Sequence, residues 1–425
     1  MVSTLRLLFG GVVPVRVLFS STWGYGHVFP MVPLAQACLA AGHDVLWAGN
    51  EPAGPLVEAA GIRFAAAGLS AQGVREVTSR NAGHVRHLPP EDRAAFAFPH
   101  MFGAWATPAM SAQLLPLARD WRPDLLVHEA AELASPLVGA VLGVPTVTHS
   151  FGTPVPAASL TETADRLEFL WSEHALVQPS YAGCFGAGYL DIFPASLQPI
   201  YPAHISSRTS LRPVPWTGRP VVELAPYLQR AGRPLIYLTF GTVSNHAAVL
   251  RPAVEALSAL PLRVLVAVGP DGDPDLLGLQ PSNVTIERWV PQAQVLQRCD
   301  AVISHAGSGT FLGGLAAGLP QLCLPQAADQ FRNTAAGTQR GAALALAPDV
   351  ATGEAIASAV MRLLCEPSFR TAAEEVAIEI ADMPSPAEVV NVLTQIAAKP
   401  RALPVGQSSC DTPASTKAIP SPAGG

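Results

Sequence analysis

Short apolar segments rich in valine, leucine and phenylalanine alternate along the chain with longer alanine- and leucine-rich segments. The first apolar segment, "VRVLFS" at residues 15–20, predicts a β-strand, and a turn containing Gly24 and Gly26 follows it. The next segment, "PMVPLAQACLAAG", has prolines only near its start and ends at Gly42, which is typical of a helix. A further strand, "DVLWAG", comes next. This alternation predicts an α/β fold with a parallel, doubly wound sheet.

The same alternation restarts in the second half of the chain. Residues 155–212 are less regular, and the proline-rich segment at 210–220 indicates a linker. Beyond it, "PLIYLTFGT", "LRVLVAVG", "NVTIERWV" and "DAVISHAG" predict four strands separated by helical segments. The chain is therefore predicted to form two Rossmann-like domains, with the carboxyl ends of both sets of strands at one ligand-binding cleft.

This pattern gives a division of the whole chain. "VRVLFS" is needed as the first strand and contains Arg16, so the apolar N-terminus predicts a short extension and not a signal peptide. The predicted units are an extension at 1–14, a first Rossmann-like domain at 15–212, a linker at 213–233, a second Rossmann-like domain at 234–385, a C-terminal helix at 386–398 and a disordered tail at 399–425.

Composition limits the class of function. Of the 425 residues, 49% are apolar and 14% charged, which is typical of a globular protein with two domains. The net charge of −6 argues against a nucleic-acid partner. No apolar run approaches the roughly 20 residues of a membrane helix, so we expect a cytoplasmic protein without a membrane span. The scattered cysteines predict buried thiols in a reducing compartment, with Cys410 exposed in the tail.

The segment "HAGSGTFLGGLAAGLP" at residues 305–320 carries the first candidate chemistry. A strand ends at His305, and a helix is predicted to begin near Thr310. Unpaired backbone N–H groups and the dipole of a helix start form an anion site, which Gly307 and Gly309 would let a phosphate approach. Ser308 and Thr310 would donate hydroxyls, and His305 a charge-assisted hydrogen bond. A tight turn without a ligand is the alternative that this motif alone favours.

Two further segments suggest a sugar nucleotide. Asp329 and Gln330 in "LPQAADQFRN" offer a carboxylate beside a carboxamide, which suits vicinal hydroxyls, although Asp329 as a helix N-cap is an equal alternative. Trp289 in "ERWVPQ" lies at a strand end, where an indole can stack on a base or fill the core.

Taken together, residues 289–333 resemble the donor-binding signature of family 1 glycosyltransferases with the GT-B fold, in particular actinobacterial enzymes that glycosylate natural products. The resemblance extends through "STWGYGHVFPMVPLAQ", "RPDLLVHE", "LTFGT" and "MPSPAEVV", and covers the chain from about residue 15 to 398. It implies two facing Rossmann-like domains, of which the first binds the acceptor and the second the nucleotide sugar.

The resemblance also implies roles in donor binding. Trp289 would stack on the nucleotide base, whose edge would pair with the backbone of Val290. The diphosphate would be held by His305, Gly307, Ser308, Gly309 and Thr310, with Thr242 of "FGT" approaching it from the first turn of the second domain. Asp329 and Gln330 would hold hydroxyls of the sugar.

The catalytic assignment falls on "STWGYGHVFP", residues 21–30. The resemblance implies that His27 is the general base that activates the acceptor hydroxyl, which a neutral imidazole suits. A carboxylate usually orients such a histidine. The family commonly has an aspartate at the end of the strand that is "DLLVHE" here, where this chain has Glu129. Glu132 is the competing partner, and the sequence does not decide between the two.

Two other segments complete the predictions. Asp271 and Asp273 in "GPDGDPD" resemble a metal-binding DxD pair, but the surrounding Gly and Pro residues indicate a surface turn, so we predict no required metal. Residues 96–110 are rich in aromatic residues and methionine, and predict a pocket for a hydrophobic acceptor, an ordinary core helix, or both. The candidate pocket residues are Phe98, Met101, Phe102 and Trp105.

The leading hypothesis is an inverting, metal-independent glycosyltransferase. It would move a sugar, in particular a deoxysugar, from a dTDP or UDP donor to a hydroxyl of a hydrophobic natural product such as a polyketide. A nucleotide-sugar 2-epimerase is one alternative, and a non-catalytic protein that binds sugar nucleotides is another. The sequence does not decide whether a helper protein or a second copy of the chain takes part.

Overall fold

The protein contains two parallel β-sheets connected by helices. The structure is a computed structural model, and it describes residues 14–198, 200–216, 228–229, 232–241, 247–269 and 272–399. Thr242, Asp271, most of the predicted linker, the tail after residue 399 and residues 1–13 of the predicted extension lie outside the described residues.

The first sheet is formed by the N-terminal half of the chain. Its strand order is β3-β2-β1-β4-β5-β6-β7, and every paired strand is parallel to its neighbour. The strands are β1 (Arg16–Ser21), β2 (Asp44–Gly49), β3 (Arg63–Ala66), β4 (Leu125–Glu129), β5 (Thr146–His149), β6 (Gly188–Asp191) and β7 (Arg208–Ser210).

The second sheet repeats this arrangement. Its order is β10-β9-β8-β11-β12-β13, again with parallel pairs throughout the described residues. The strands are β8 (Leu235–Thr239), β9 (Arg263–Ala267), β10 (Val284–Glu287), β11 (Ala301–Ser304), β12 (Gln321–Cys323) and β13 (Ala343–Ala345). Each order is that of a Rossmann-like sheet, with the switch point next to β1 or β8.

Helices connect the strands. They are α1 (Tyr25–Val28), α2 (Val32–Ala40), α3 (Gly54–Ala59), α4 (Ala71–Val85), α5 (Arg93–Ala97), α6 (Thr107–Trp121), α7 (Ala134–Leu142), α8 (Ala157–Ser172), α9 (Ala247–Ser258), α10 (Gln292–Leu296), α11 (Ser308–Ala316), α12 (Gln330–Arg340), α13 (Gly353–Cys365), α14 (Pro367–Asp382) and α15 (Pro386–Ala397). A π-helical segment, Phe98–Ala106, joins α5 to α6. Gly42 has φ 84°, a left-handed conformation that stops α2 where the sequence predicts.

The structure corrects three sequence-based expectations. The region at 155–212, predicted to be less regular, contains the 16-residue α8 as well as β6 and β7. The helix predicted to begin near Thr310 begins at Ser308, so Ser308 itself lies in its first turn. Cys365 is exposed at the end of α13, whereas Cys38, Cys184, Cys299 and Cys323 are buried as expected.

One apolar cluster joins the two halves of the chain. Phe193, which follows β6, stacks on Phe311 of α11 with ring centroids 6.3 Å apart, and both side chains are fully buried. The last helix, α15, crosses back to pack on α2, where Thr394 Oγ1 lies 3.3 Å from His43 Nε2. These contacts hold the carboxyl ends of both sheets at one cleft.

The shared core leads to a stability prediction. Phe311→Ala removes a fully buried ring from the contact between the halves, so we expect the free energy of unfolding to fall by about 3–5 kcal/mol. Phe169→Ala in α8 is the control, because that ring is 50% exposed, and its expected change is about 0.5 kcal/mol or less. Urea unfolding followed by circular dichroism measures both. Equal losses for the two variants would show that the Phe193–Phe311 contact does not stabilise the protein.

Candidate active site

His27 lies at the carboxyl edge of the first sheet, just beyond β1. Gly24 has φ 90° and precedes α1, and a side chain in that conformation would be strained, so glycine makes the turn possible. The turn directs His27 back across the end of β4. There its Nδ1 lies 3.2 Å from Glu129 Oε1, and its side chain is 22% exposed.

Glu129 is the last residue of β4, and its carboxylate is completely buried. The buried charge is compensated by hydrogen bonds. Oε1 accepts from Thr22 N at 3.2 Å and from Thr22 Oγ1 at 2.6 Å, and Oε2 accepts from Ala131 N at 2.6 Å. With the N–H of His27, the carboxylate has four donors, and a buried charge is tolerated under this condition.

Glu132 performs a different task from Glu129. It accepts from Ser20 Oγ at 2.7 Å and from Ala134 N at 2.8 Å, so it ties the start of α7 to β1. The structure therefore places Glu129, and not Glu132, next to His27. Asp124, at the opposite end of β4, accepts from Arg16 N.

His27 and Glu129 each shift the pKa of the other. Burial alone would lower the pKa of His27, but its attraction to Glu129 and the hydrogen bond between them raise this pKa overall. Burial would raise the pKa of Glu129, but His27, Thr22 and Ala131 together lower it. Asp329, from the second half of the chain, also raises the pKa of His27. The imidazole thus lies within reach of charges from both halves.

Aromatic rings surround His27. Phe102 and Phe151 have ring centroids 5.1 Å and 5.2 Å from that of His27, and Trp23 lies 5.6 Å from Phe102. Of the four candidate pocket residues, Phe102 alone has a ring contact with His27. Phe98 is buried in the core and also touches Phe102, and Met101 is half-buried.

Trp105 has other neighbours. Its ring stacks under the guanidinium of Arg80 at 4.3 Å and lies 5.9 Å from both His84 and His100. The segment predicted to form the acceptor pocket therefore combines a core face, a face toward His27 and a face toward α4. The role of these four residues in acceptor binding stays a prediction.

In the second half, His305 follows β11 and fits between two glycines. A Cβ on Gly241, which has φ 78°, would lie 2.7 Å from His305 Cε1, and a Cβ on Gly307 would lie 2.5 Å from His305 Nε2. Both positions need glycine for this close approach. The turn after β8 and the start of α11 thus meet at the imidazole of His305.

Ser308 and Asp329 are joined directly. Ser308 Oγ donates to Asp329 Oδ2 at 2.5 Å, and Asn333 Nδ2 donates to the same oxygen at 3.1 Å. Asp329 occupies the N-cap position of α12 without a capping side-chain bond, so the structure does not support the alternative role as a helix cap. Its carboxylate points toward α11 instead.

Strained backbone accompanies this site. Ala306 and Ala328, next to the two segments that carry Ser308 and Asp329, have φ 63° and φ 55°. A non-glycine residue in the left-handed region costs on the order of 1–3 kcal/mol, and such strain concentrates at functional sites. Both residues set the direction of the segment that follows.

The other donor-site candidates lie around the same edge. Gln330 Oε1 accepts from the backbone of Gln326 and Ala327, and Thr310 Oγ1 accepts from Gln292 Nε2 at 2.8 Å. Gly309 is exposed at the start of α11. Trp289, 44% exposed, precedes the buried Val290 just beyond β10.

The two halves touch at this site. A Cβ on Gly152, beyond β5, would overlap Ser308 Oγ and lie 3.3 Å from Asp329 Oδ2. Thr153 Oγ1 donates to Asn333 Oδ1 at 2.7 Å. The candidate base and the candidate donor residues therefore belong to one cleft.

Other titratable residues, His43, His149 and Asp273, lie in structural contacts outside the candidate site. His43 accepts from Val15 N, and burial lowers its pKa. Burial also lowers the pKa of His149 to about 4. Asp273, the described member of the DxD-like pair, caps the short helical turn Pro274–Leu277. Within the part of the chain that the structure describes, no group of three or more His, Cys, Asp or Glu side chains is arranged to hold a metal ion.

Sequence reasoning missed several residues that orient the candidate site or connect the two halves. Thr22, which holds Glu129, and Asn333, which holds Asp329, lie inside recognised motifs, but the sequence analysis gave them no role. Asn333 lies four positions after Asp329, which places both on one helix face and was a usable signal. Phe151 and Thr153 lie in an irregular loop, where no periodicity marks them.

Two facing Rossmann-like domains with this cleft define the GT-B fold, and comparison with known proteins identifies a glycosyltransferase. The chain is 33% identical over 387 residues to L-demethylnoviosyl transferase of Streptomyces niveus, covering 89% of this chain and 97% of that protein. It is 33% identical over 396 residues to elloramycin glycosyltransferase ElmGT of Streptomyces olivaceus, covering 88% and 96%. The crystal structure of glycosyltransferase VinC in complex with dTDP matches with a TM-score of 0.76 and 26% identity, covering 90% and 99%.

Residues 36–233 and 252–396 match the N-terminal and C-terminal domains of the family described as erythromycin biosynthesis protein CIII-like. The chain belongs to this family. The resemblance expected from the sequence is confirmed, and it selects the transferase over the epimerase and the non-catalytic protein. None of the helices in the described ranges has the length and apolar character needed to cross a membrane.

The His27–Glu129 pair predicts a measurable titration. Glu129→Gln removes the carboxylate charge while the burial of His27 remains, so the pKa of His27 should fall below its wild-type value. NMR titration of selectively labelled histidine measures it. Glu132→Gln is the matched control and should leave the pKa of His27 unchanged. A larger shift from Glu132→Gln than from Glu129→Gln would refute the assignment of the partner.

Proposed function

We propose that the protein transfers a deoxysugar from a dTDP-sugar to a hydroxyl of a hydrophobic natural-product aglycone, with inversion and without a metal. The observation that carries this proposal is the His27–Glu129 hydrogen bond at a cleft that also contains Asp329. It supplies an oriented base on one side and hydrogen-bonding groups for a sugar nucleotide on the other. The cytoplasmic location stays a prediction.

The donor would lie along the carboxyl edge of the second sheet. The exposed indole of Trp289 would stack on thymine, with the backbone of Val290 at its edge. The start of α11, with Ser308, Gly309 and Thr310, would hold the diphosphate together with His305. Asp329 and the amide nitrogen of Gln330 would bind sugar hydroxyls. The dTDP bound to the related VinC supports thymidine as the nucleoside.

The acceptor would lie against the rings around His27. Phe102 and Phe151 form apolar walls beside the imidazole, which suits a hydrophobic scaffold that presents one hydroxyl to His27. Names such as L-demethylnoviosyl transferase and elloramycin glycosyltransferase, given to the relatives, agree with a natural-product acceptor. Phe98, Met101 and Trp105 would shape the pocket further from the base.

The reaction would be a single displacement. The N–H at Nδ1 of His27 donates to Glu129, which leaves the Nε2 lone pair to take the proton of the acceptor hydroxyl. The acceptor oxygen forms a bond to the anomeric carbon as the bond from that carbon to the phosphate oxygen breaks. The anomeric configuration inverts, dTDP leaves, and Glu129 stabilises the imidazolium.

The first experiment identifies the substrates. The protein is incubated with dTDP- and UDP-sugars and a mixed pool of aromatic and macrolide aglycones, and mass spectrometry reports the products. We expect a glycosylated product from a dTDP-deoxysugar, and NMR of that product should show an inverted anomeric centre. Retention of configuration would contradict the single displacement.

The base assignment predicts a specific loss. His27→Ala should lower kcat/KM by about 10²–10⁴-fold, since general-base catalysis contributes that much. Calorimetry should show unchanged dTDP binding. His174→Ala, at an exposed histidine just after α8, is the control and should retain activity. Full turnover by His27→Ala would disprove the assignment.

The raised pKa of His27 predicts the pH dependence. Only the neutral imidazole can accept a proton, so activity should be lost as the pH falls through the pKa of His27. Because Glu129 and Asp329 raise this pKa, the acid limb of kcat/KM should lie above the ordinary value of about 6.5. Glu129→Gln should move the limb to lower pH while reducing kcat. If Glu129→Gln leaves the acid limb of kcat/KM unchanged, that limb reports the titration of a group other than His27.

Treatment with a metal chelator tests whether α11 stabilises the negative charge of the departing diphosphate. Backbone N–H groups of this helix and His305 would stabilise the departing diphosphate, so treatment with EDTA should not lower the rate. Transfer rates are compared before and after EDTA and after added Mg²⁺. Loss of activity that Mg²⁺ restores would show that a metal carries this charge.

A further inference from the structure

The loop after β5 contacts both sides of the cleft. We call residues 151–153 the cleft loop. The ring of Phe151 lies 5.2 Å from that of His27, whereas Gly152 and Thr153 contact residues of α11 and α12. Three consecutive residues thus connect the candidate base with the candidate donor site.

Gly152 allows a close approach between the two halves. The nearest atoms to a Cβ at this position are Ser308 Oγ, Ser308 Cβ and Asp329 Oδ2, all from the second half of the chain. Apart from the adjacent residues, no atom of the first domain lies nearer to that Cβ. Gly152 therefore affects closure of the cleft more than the packing of its own domain.

Thr153 contributes the polar contact of the same loop. Its hydroxyl donates to Asn333 Oδ1 at 2.7 Å. The two hydrogens of the Asn333 amide nitrogen are shared among three acceptors, which are Ala306 O at 2.9 Å, Ser308 Oγ at 3.0 Å and Asp329 Oδ2 at 3.1 Å. Asn333 is completely buried, so its orientation is fixed by all of its partners.

We propose that Thr153 and Asn333 are positioning residues whose hydrogen bond across the cleft holds Asp329 and Ser308 in register with His27. The bond joins the loop that packs on the base to the side chain that orients the donor-site carboxylate. This inference rests on the proposed function, because it gives His27 and Asp329 their catalytic and binding roles.

The chemistry of the contact explains why the hydroxyl matters. Without it, Asn333 Oδ1 would be buried with no donor, and an unpaired buried acceptor is unfavourable. The cleft would relieve this cost by opening or by rotating the Asn333 amide. Either change moves Asp329 relative to His27, and the attraction of Asp329 that raises the pKa of His27 would weaken.

The test is Thr153→Val, which removes the hydroxyl and keeps the size of the side chain. We expect kcat to fall about tenfold, with little change in the KM for the aglycone and in the Kd for dTDP. The acid limb of the pH profile should move to lower pH. Thr153→Ser should restore kcat and the limb, because it restores the donor.

Thr394→Val is the matched control. Its hydroxyl also bridges two parts of the chain, since it lies 3.3 Å from His43 Nε2, but it belongs to the contact of α15 with α2 and not to the cleft loop. Thr394→Val should leave kcat and the acid limb unchanged. Equal effects of Thr153→Val and Thr394→Val would show that the Thr153–Asn333 hydrogen bond only stabilises the fold, which would overturn the proposal.

Gly152→Ala gives a second measurement. Its methyl group would overlap Ser308 Oγ, so closure should be impeded and kcat should fall at least as far as in Thr153→Val. Thermal unfolding checks that the variant folds. A rise in kcat in either variant would mean that the cleft loop obstructs the donor site, which also overturns the proposal.

Failure of this inference differs from failure of the proposed function. If Thr153→Val is fully active while His27→Ala is inactive, the base assignment stands and the positioning role is wrong. If His27→Ala is fully active, the proposed mechanism itself fails, whatever Thr153→Val does.

Discussion

The candidate active site depends on a carboxylate that stays charged inside the protein. Glu129 is fully buried at the end of β4, and it remains ionised because Thr22, Ala131 and His27 donate hydrogen bonds to it. The same bonds fix His27. A parallel sheet makes this possible, since β1 and β4 are neighbours and their carboxyl ends, with the turns that follow, lie side by side.

The second constraint is that both halves of the chain must meet at these ends. The shared core around Phe193 and Phe311 and the return of α15 to α2 hold the two sheets together. At the cleft itself the contacts are polar or involve glycine, as at Gly152 and Thr153. Apolar contacts thus maintain the pair of domains, while contacts that can break and form again line the cleft. This distribution suits an enzyme that excludes water during transfer and then releases its product.

Much of this arrangement could be predicted from the sequence. Alternating apolar segments predict the strands and helices, because burial on both faces of a parallel sheet imposes that pattern. The motifs around His27, His305 and Asp329 predict which edge of each sheet faces the cleft and carries the candidate site. The choice between Glu129 and Glu132 was beyond the sequence, since Glu129 ends β4 and Glu132 lies only three residues later, and only the folded structure shows which carboxylate faces His27.

The contacts between the halves were also beyond the sequence. Gly152 and Thr153 contact residues more than 150 positions later in the sequence, among them Asn333. No local periodicity predicts contacts at that separation. The amphipathic helix α8 was missed for another reason, because the irregular segments around it concealed its pattern.

In the proposed mechanism, His27 takes the proton of the acceptor hydroxyl while the donor lies along α11 and α12. A crystal structure with dTDP and the glycosylated product tests it most directly. We expect the new glycosidic oxygen within about 2.6–3.2 Å of His27 Nε2, or one water away from it, with the diphosphate at the start of α11. A glycosidic oxygen bound away from His27, next to a different base, would show that His27 is not the base.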